Sequence, residues 1–245
     1  MQYLIISDLH GNLEALEAVL AAADGWDAVL VLGDLIGYGA DPNAVVERVR
    51  ALAPAAVIRG NHDKVGVGLA PVDGFNQVAR QAITWTASVL TADNQAWLRG
   101  LPSGPVAVGA LVEICHGAPF DEDAYVFDDL DAQRALQAAG RPICLYGHTH
   151  VPAVYGLDAA GFHRLGRPTG ERYEVACDDG MVRLINCGAV GQPRDLDPRA
   201  AFGLLDTERR TVTVRRTPYD VAAAQAKILA AGLPPVLAQR LSVGR

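Results

Sequence analysis

Histidine, aspartate and asparagine collect in five short stretches of this chain, and these residue types bind borderline divalent metals. In chain order the stretches are Asp8-Leu9-His10, Gly33-Asp34, Gly60-Asn61-His62-Asp63, Cys115-His116-Gly117 and Gly147-His148-Thr149-His150. They hold all but one of the 6 histidines among 245 residues. Any one of them alone reads as well as a turn, a surface histidine or an Asp capping the next segment of chain. Together, in a fixed order, they point to a two-metal hydrolytic site. Asp8 and His10 offer two ligands from one tight turn. A carboxylate has two oxygens, so Asp34 is a natural bridge between ions about 3.5–4 Å apart. Asn61 adds a neutral amide oxygen, with His62 beside it free to face a substrate. Alternate side chains of an extended turn point to opposite sides, so His148 and His150 can serve different ions. His116 adds one more nitrogen from its own strand end.

Bringing these groups together requires a scaffold whose strand ends converge, and the N-terminal part of the chain supplies one. Apolar runs at 3–7, 28–32 and 55–59 read as strands. Between them lie a helical stripe at 13–23 and a helix opened by Asp41-Pro42, with Asp as N-cap and Pro at the first helical position, running to about residue 52. A βαβαβ order implies parallel strands, right-handed crossovers and ligands at the carboxyl ends of the strands. Asp8, Asp34 and Asn61 all fall just past those ends. Helices are expected at 77–90, 91–99 and 128–139, a hairpin at 106–108 and 111–115, and a strand at 143–146 leading into the Gly-His-Thr-His turn. Beyond Val151 the pattern turns mostly β, at 153–157, 173–177, 182–186, 201–206 and 211–217, which suggests a second, largely antiparallel sheet. Helices at 220–231 and 236–241 would close an α/β fold, read as a single domain over residues 1–245.

Composition narrows the function. A net charge of -7 argues against a long nucleic-acid polymer as partner. The first residues lack a basic leader region, and no apolar stretch approaches the ~20 residues of a membrane span. The 4 cysteines are widely spaced with strand-like neighbours, the pattern of reduced, buried thiols in a cytoplasmic protein. His163, in the Gly-rich stretch 161–170, reads as a solvated loop residue. The acidic segment 121–131 reads as turns and a helix cap.

The ordered motifs resemble those of the calcineurin-like metallophosphoesterase superfamily, closest to its small bacterial phosphodiesterase branch. Asn186-Cys-Gly-Ala-Val-Gly-Gln-Pro-Arg194 resembles a further segment of that branch. The resemblance implies a four-layer α/β/β/α sandwich of two mixed sheets flanked by helices, with a binuclear centre. Carried onto this sequence, one ion takes Asp8, His10, Asp34 and His150, and the other takes Asp34, Asn61, His116 and His148. His62 stands outside as the catalytic histidine.

The implied reaction is hydrolysis of a small phosphodiester or nucleotide. Two cations would make hydroxide available from a bridging water, and it would attack phosphorus in line. His62, as an imidazolium near its ordinary pKa, would protonate the leaving oxygen or stabilise developing charge. Histidine, carboxylate and amide donors without thiolate suit Mn, Fe, Zn, Co and Ni, manganese among them, and cellular supply would decide. Protein serine/threonine phosphatases of the superfamily carry Gly-Asp-x-x-Asp-Arg-Gly where this chain has Gly33-Asp-Leu-Ile-Gly-Tyr-Gly39. The missing Asp and Arg turn the reading away from phosphoproteins. Arg59 or Arg194 is a candidate for the missing phosphate contact, and Tyr38 lies nearby. Dinucleoside polyphosphate hydrolysis, phosphomonoesterase activity and nuclease activity stay open. The rival from another class is a non-catalytic interaction scaffold of the same fold, against which the complete ligand set argues. The partner expected is a small phosphorylated substrate, and a homo-oligomer is compatible with the chain.

Overall fold

A computed structural model describes residues 1–245. Two six-stranded mixed sheets stack face to face with helices outside them. The first half of the chain builds β1 (Gln2–Ile6), α1 (Leu13–Ala22), β2 (Ala28–Val31), α2 (Pro42–Ala51), β3 (Ala56–Val57), α3 (Asn61–Gly66), α4 (Gln77–Val89), α5 (Ala92–Arg99), β4 (Val106–Val108) and β5 (Val112–Ile114). The second half builds α6 (Asp129–Ala138), β6 (Ile143–Tyr146), β7 (Ala153–Asp158), β8 (Gly161–Gly166), β9 (Arg172–Ala176), β10 (Val182–Asn186), β11 (Ala200–Asp206), β12 (Thr211–Thr217), α7 (Val221–Ala230) and α8 (Pro235–Leu241). Sheet order is β3-β2-β1-β11-β12-β9 in one layer and β4-β5-β6-β10-β7-β8 in the other.

The layering follows from side-chain alternation along each strand. In β1, Leu4 and Ile6 join Val29 and Val31 in a core with Leu16 and Val19 of α1 and Val45 and Val49 of α2. Ile5 and Leu30, on the opposite face, pack against Ile114, Leu145 and Ile185 of the second sheet. Cys144, Tyr146 and Leu184 meet Ala132, Ala135 and Leu136 of α6 outside that sheet. This gives the four expected layers. Each sheet holds a parallel run: β3-β2-β1 forms one end of the first sheet and continues into antiparallel β11-β12-β9, whereas β5-β6-β10 is central in the second, with antiparallel strands on both sides.

Several expectations need correction. The late strands do not form a separate sheet: β9, β11 and β12 extend the β1 sheet, whereas β7, β8 and β10 extend the β6 sheet. Residues 161–166, expected as loop, form β8, and His163 pairs there with Asp158 at 3.0 Å. Asp41 precedes α2 but makes no side-chain cap; its carboxylate goes to Lys227, 2.7 Å away on α7. All four cysteines are free and buried. No helix is long and apolar enough to cross a membrane.

Candidate metal centre

The residues with metal-binding chemistry all follow carboxyl ends of parallel strands. Asp8 and His10 follow β1, Asp34 follows β2, Asn61 and His62 follow β3, His116 follows β5, and His148 and His150 follow β6. Five of them, Asp8, His10, Asp34, His148 and His150, hold positive φ angles between 47° and 66°. Non-glycine residues avoid that region, and strain of this kind, of order 1–3 kcal/mol each, persists where surrounding structure enforces it. The enforcement is visible. The amides of Asp8 and His10 donate to Gly33 O and Asp34 O at 3.0 and 2.9 Å, and His148 N–H donates to the Asp8 carboxylate at 3.2 Å.

Each imidazole is oriented by a main-chain carbonyl. His10 Nδ1 donates to Ile36 O (3.1 Å), His116 Nδ1 to Leu32 O (2.8 Å), His150 Nδ1 to Gln192 O (2.6 Å) and His148 Nε2 to Asp123 O (3.2 Å). A carbonyl only accepts, so the other nitrogen of each neutral ring carries its lone pair, the tautomer a metal ligand needs. Those nitrogens turn toward one another: His10 Nε2 lies 3.1 Å from His150 Nε2, and His148 Nδ1 lies 3.1 Å from His116 Nε2. Asp34 Oδ2 stands between the pairs, 3.5 Å from His10 Nε2 and 3.4 Å from His116 Nε2. Asp8 Oδ1 is 3.3 Å from His150 Nε2, and Asn61 Oδ1 is 3.2 Å from His116 Nε2. Two buried groups, Asp8–His10–Asp34–His150 and Asp34–His116–His148, can therefore each hold a metal ion, with Asp34 common to both.

The electrostatics agree with that reading. Burial holds both His10 and His150 well below the usual imidazole range, so neither has a proton to share across their contact. Two facing lone pairs repel unless a cation lies between them. His116 differs: burial alone would lower it, but the Asp34 carboxylate and its hydrogen bond raise it to about 10. Burial, the largest single influence, would in turn raise Asp34, but the surrounding imidazoles together, His116 foremost with its hydrogen bond, outweigh it and hold the carboxyl well below the ordinary range. The metal-free centre thus contains a buried His116–Asp34 ion pair. Its proton stabilises the metal-free fold at neutral pH and below, and that contribution is lost as pH rises toward about 10. A metal ligated by His116 must displace the proton, so metal binding near neutral pH is expected to release it and to weaken as pH falls. Calorimetric titration in buffers of different ionisation heat counts the release; a buffer-independent heat would contradict the assignment.

This geometry has known relatives. The sequence profile of the calcineurin-like phosphoesterase superfamily domain matches residues 1–210. The chain belongs to that superfamily. It is 34% identical over 245 residues to uncharacterized protein MJ0912 of Methanocaldococcus jannaschii, covering 98% of this chain and 97% of the other. Phosphodiesterase YfcE of Escherichia coli is 24% identical over 219 residues, 85% of this chain and 89% of its own. A metallophosphoesterase structure from Sphaerobacter thermophilus superposes with a TM-score of 0.89 at 39% identity, over 100% of this chain and 99% of that one. The protein is a calcineurin-like phosphoesterase with buried Asp/His clusters able to hold metal.

Within this phosphoesterase, Asp63 is the tie that sequence reading left without a role. Its carboxylate accepts Leu35 N–H (2.9 Å), Ile36 N–H (3.1 Å) and Gly60 N–H (3.0 Å), joining the loop that carries Asp34 to the one that carries Asn61 and His62. An acidic residue three places after the Gly60 cap was the available signal. Asp63→Ala would leave three buried donors unpaired, at about 1–3 kcal/mol each. We expect a loss of roughly 3 kcal/mol or more in denaturant unfolding, with loss of metal affinity. An unchanged midpoint would contradict this.

Gly37 and Tyr38 account for the departure from the phosphoprotein phosphatase motif. Gly37 has φ 89°, and a Cβ there would collide with His62 Nδ1. His62 is packed among the rings of Tyr38 (4.4 Å), Phe75 (4.6 Å) and His10 (4.8 Å). Burial pushes its pKa down to about 4, so the imidazolium expected near its ordinary pKa is replaced by a neutral ring in the free protein.

The two candidate arginines part company. Arg59 commits its fork to Glu122 at 3.0 Å from both Nε and Nη2, and Lys64 reaches Glu122 at 3.1 Å and also pairs with Asp123. The segment 121–131, expected as turns and a helix cap, is thereby pinned beside the centre at Glu122 and Asp123, while Asp128 caps α6 as expected. Arg194 keeps only Gln192 Oε1 (2.9 Å) and Tyr38 Oη (3.5 Å), and its buried Nε has no partner. A groove of about 380 Å³ opens beside Asn61 and His148, walled by Phe75, Pro71, Val65 and Tyr125. Tyr125 stacks on His148 at 3.8 Å. Isolated loop aromatics carry no periodic signal, so sequence reading had no means to find Phe75 or Tyr125.

Proposed function

We propose that this phosphoesterase is a two-metal phosphodiesterase acting on small phosphodiesters or nucleotides. The observation that supports it most is the grouping of four imidazoles in two clusters that share Asp34, with His10 and His116 reaching its Oδ2, while each ring is fixed from behind by a carbonyl. When bound, two divalent ions supply charge neutralisation at phosphoryl oxygens and a nucleophile at neutral pH. Asp8, His10 and His150 would hold one ion and Asn61, His116 and His148 the other, with Asp34 shared. Cys115, the cysteine nearest these ligands in sequence, turns its Sγ toward Cys144 (3.7 Å), which leaves a thiolate-free set suited to Mn, Fe, Zn, Co or Ni.

His62 would act as a hydrogen-bond donor to the phosphoryl or leaving oxygen. Arg194, the one of the two candidate arginines without a carboxylate partner, would bind a phosphoryl oxygen beside Tyr38. The groove walled by Phe75 and Tyr125 offers room for a second ester group, which favours a diester over a monoester. Buried free thiols favour a reducing compartment such as the cytoplasm. The test is hydrolysis of bis(p-nitrophenyl) phosphate and p-nitrophenyl phosphate by metal-stripped protein with Mn, Ni, Zn or Mg returned. Diester turnover restored by a transition metal supports the reading. Monoester preference overturns the diesterase assignment, and no turnover of either ester with any metal counts against the enzyme reading.

A further inference from the structure

The hairpin of α7 and α8 lies beyond the residues matched to the superfamily, yet it is fastened to the rim of the centre. Lys227 pairs with Asp41 (2.7 Å) and Glu14 (2.5 Å), Leu196 N–H donates to Gly244 O (2.9 Å), and Ile228, Leu237 and Leu241 pack in one cluster with Tyr38. This docking brings the Arg240 guanidinium to 5.7 Å from the Tyr38 ring centre, where the Arg194 guanidinium already lies at 5.8 Å. Neither arginine pairs with an Asp or Glu. Arg240 Nε donates to Arg245 O at 2.7 Å, and Arg194 Nε is buried without a partner. Elsewhere Arg59, Arg183, Arg199 and Arg216 all meet carboxylates. Two half-buried guanidinia meet at one tyrosine ring, Arg194 with no anionic partner and Arg240 reaching only an oxygen of the terminal residue Arg245, an unfavourable arrangement that an anion would relieve. Burial and Arg194 both depress the pKa of Arg240, as expected for adjacent cations. The Tyr38 ring they share is 4.7 Å from the His10 ring and 4.4 Å from the His62 ring, at the edge of the centre.

We propose that Arg194 and Arg240 together form a second anion-binding point, so that preferred substrates carry a further phosphoryl or carboxylate group beside the phosphorus attacked. This rests on the phosphoesterase reading of the site and favours, among its substrates, those with linked phosphoryl groups. Arg240 is then a specificity residue supplied by an element outside the superfamily domain. Calorimetric titration of the metal-loaded protein, with free metal in excess, compares AMP with the non-hydrolysable α,β-methylene-ADP. The wild type should prefer the diphosphate. In Arg240→Gln that preference should fall about tenfold, a charge-assisted hydrogen bond's worth. Arg240→Lys should regain part of it, since charge returns without the planar fork. Thermal unfolding of each variant checks that the hairpin stays docked. An unchanged preference in Arg240→Gln, or an equal loss for both nucleotides, overturns the proposal. Failure of either nucleotide to bind the wild type overturns the proposal too. In that case, persisting turnover of bis(p-nitrophenyl) phosphate keeps the phosphodiesterase reading, and its absence removes both.

Discussion

Asp34→Asn is expected to bind metal at least ~100-fold more weakly than the wild type and to lose phosphodiester turnover with it. Removing a group that merely supports a ligand typically costs 10–100-fold in affinity, and Asp34 is the one carboxylate facing both donor groups. Asparagine keeps the shape and one oxygen, so it can still accept the His62 amide now held by Asp34 Oδ1 at 2.8 Å. What it loses is the charge that an ion pair, or two cations, would need. The metal-free variant should therefore stay folded, because His116 can shed its proton when the partner charge goes. Asp34→Glu should do no better, since a Cβ at Gly60 would already collide with the Asp34 carboxylate and no room remains for a longer side chain. Metal content after dialysis and turnover of bis(p-nitrophenyl) phosphate read both effects. An Asp34→Asn protein with full metal and full turnover would contradict them.

His62→Ala is expected to lower kcat by ~10²–10³-fold while metal content stays that of the wild type, the usual range for losing a hydrogen-bond donor aimed at developing charge. The distinction from Asp34 is what makes the prediction informative. His62 belongs to a ring cluster with Tyr38 and Phe75, and its Nδ1 is buried without a partner. Removing the ring also empties a packed site, so the comparison belongs well below the unfolding temperature of the variant. Wild-type turnover with normal metal content would remove His62 from the mechanism. Loss of metal together with turnover would make it a structural support of Asn61.

The strand ends that carry the centre were legible in the sequence because parallel strands buried on both faces leave continuous apolar runs, as at Leu4–Ile6 and Val29–Val31. The motifs then fall at the ends of those runs. Which sheet a late strand joins was not legible. β10 and β11 have similar local patterns, yet β10 pairs with β6 and β11 with β1, a choice made by tertiary packing. β8 escaped notice because its residues are only partly buried and it pairs with β7 at the sheet edge. Left-handed backbone at Asp8 or His150 carries only a weak signature in side-chain type, since Asp and His enter that region more often than most residues but far less than glycine. Arg240 lies ninety residues beyond the last histidine motif, on a helix of ordinary composition, and only the docking of that helix brings it to Tyr38.

The central claim is a pair of ions sharing Asp34, and the most direct test is metal stoichiometry. Protein loaded with Mn, dialysed and measured by plasma mass spectrometry should carry two ions per chain. Its paramagnetic resonance spectrum should show a coupled pair that disappears in Asp34→Asn. One ion per chain, or two that remain magnetically independent in the wild type, would contradict the shared-carboxylate centre and the assignment built on it.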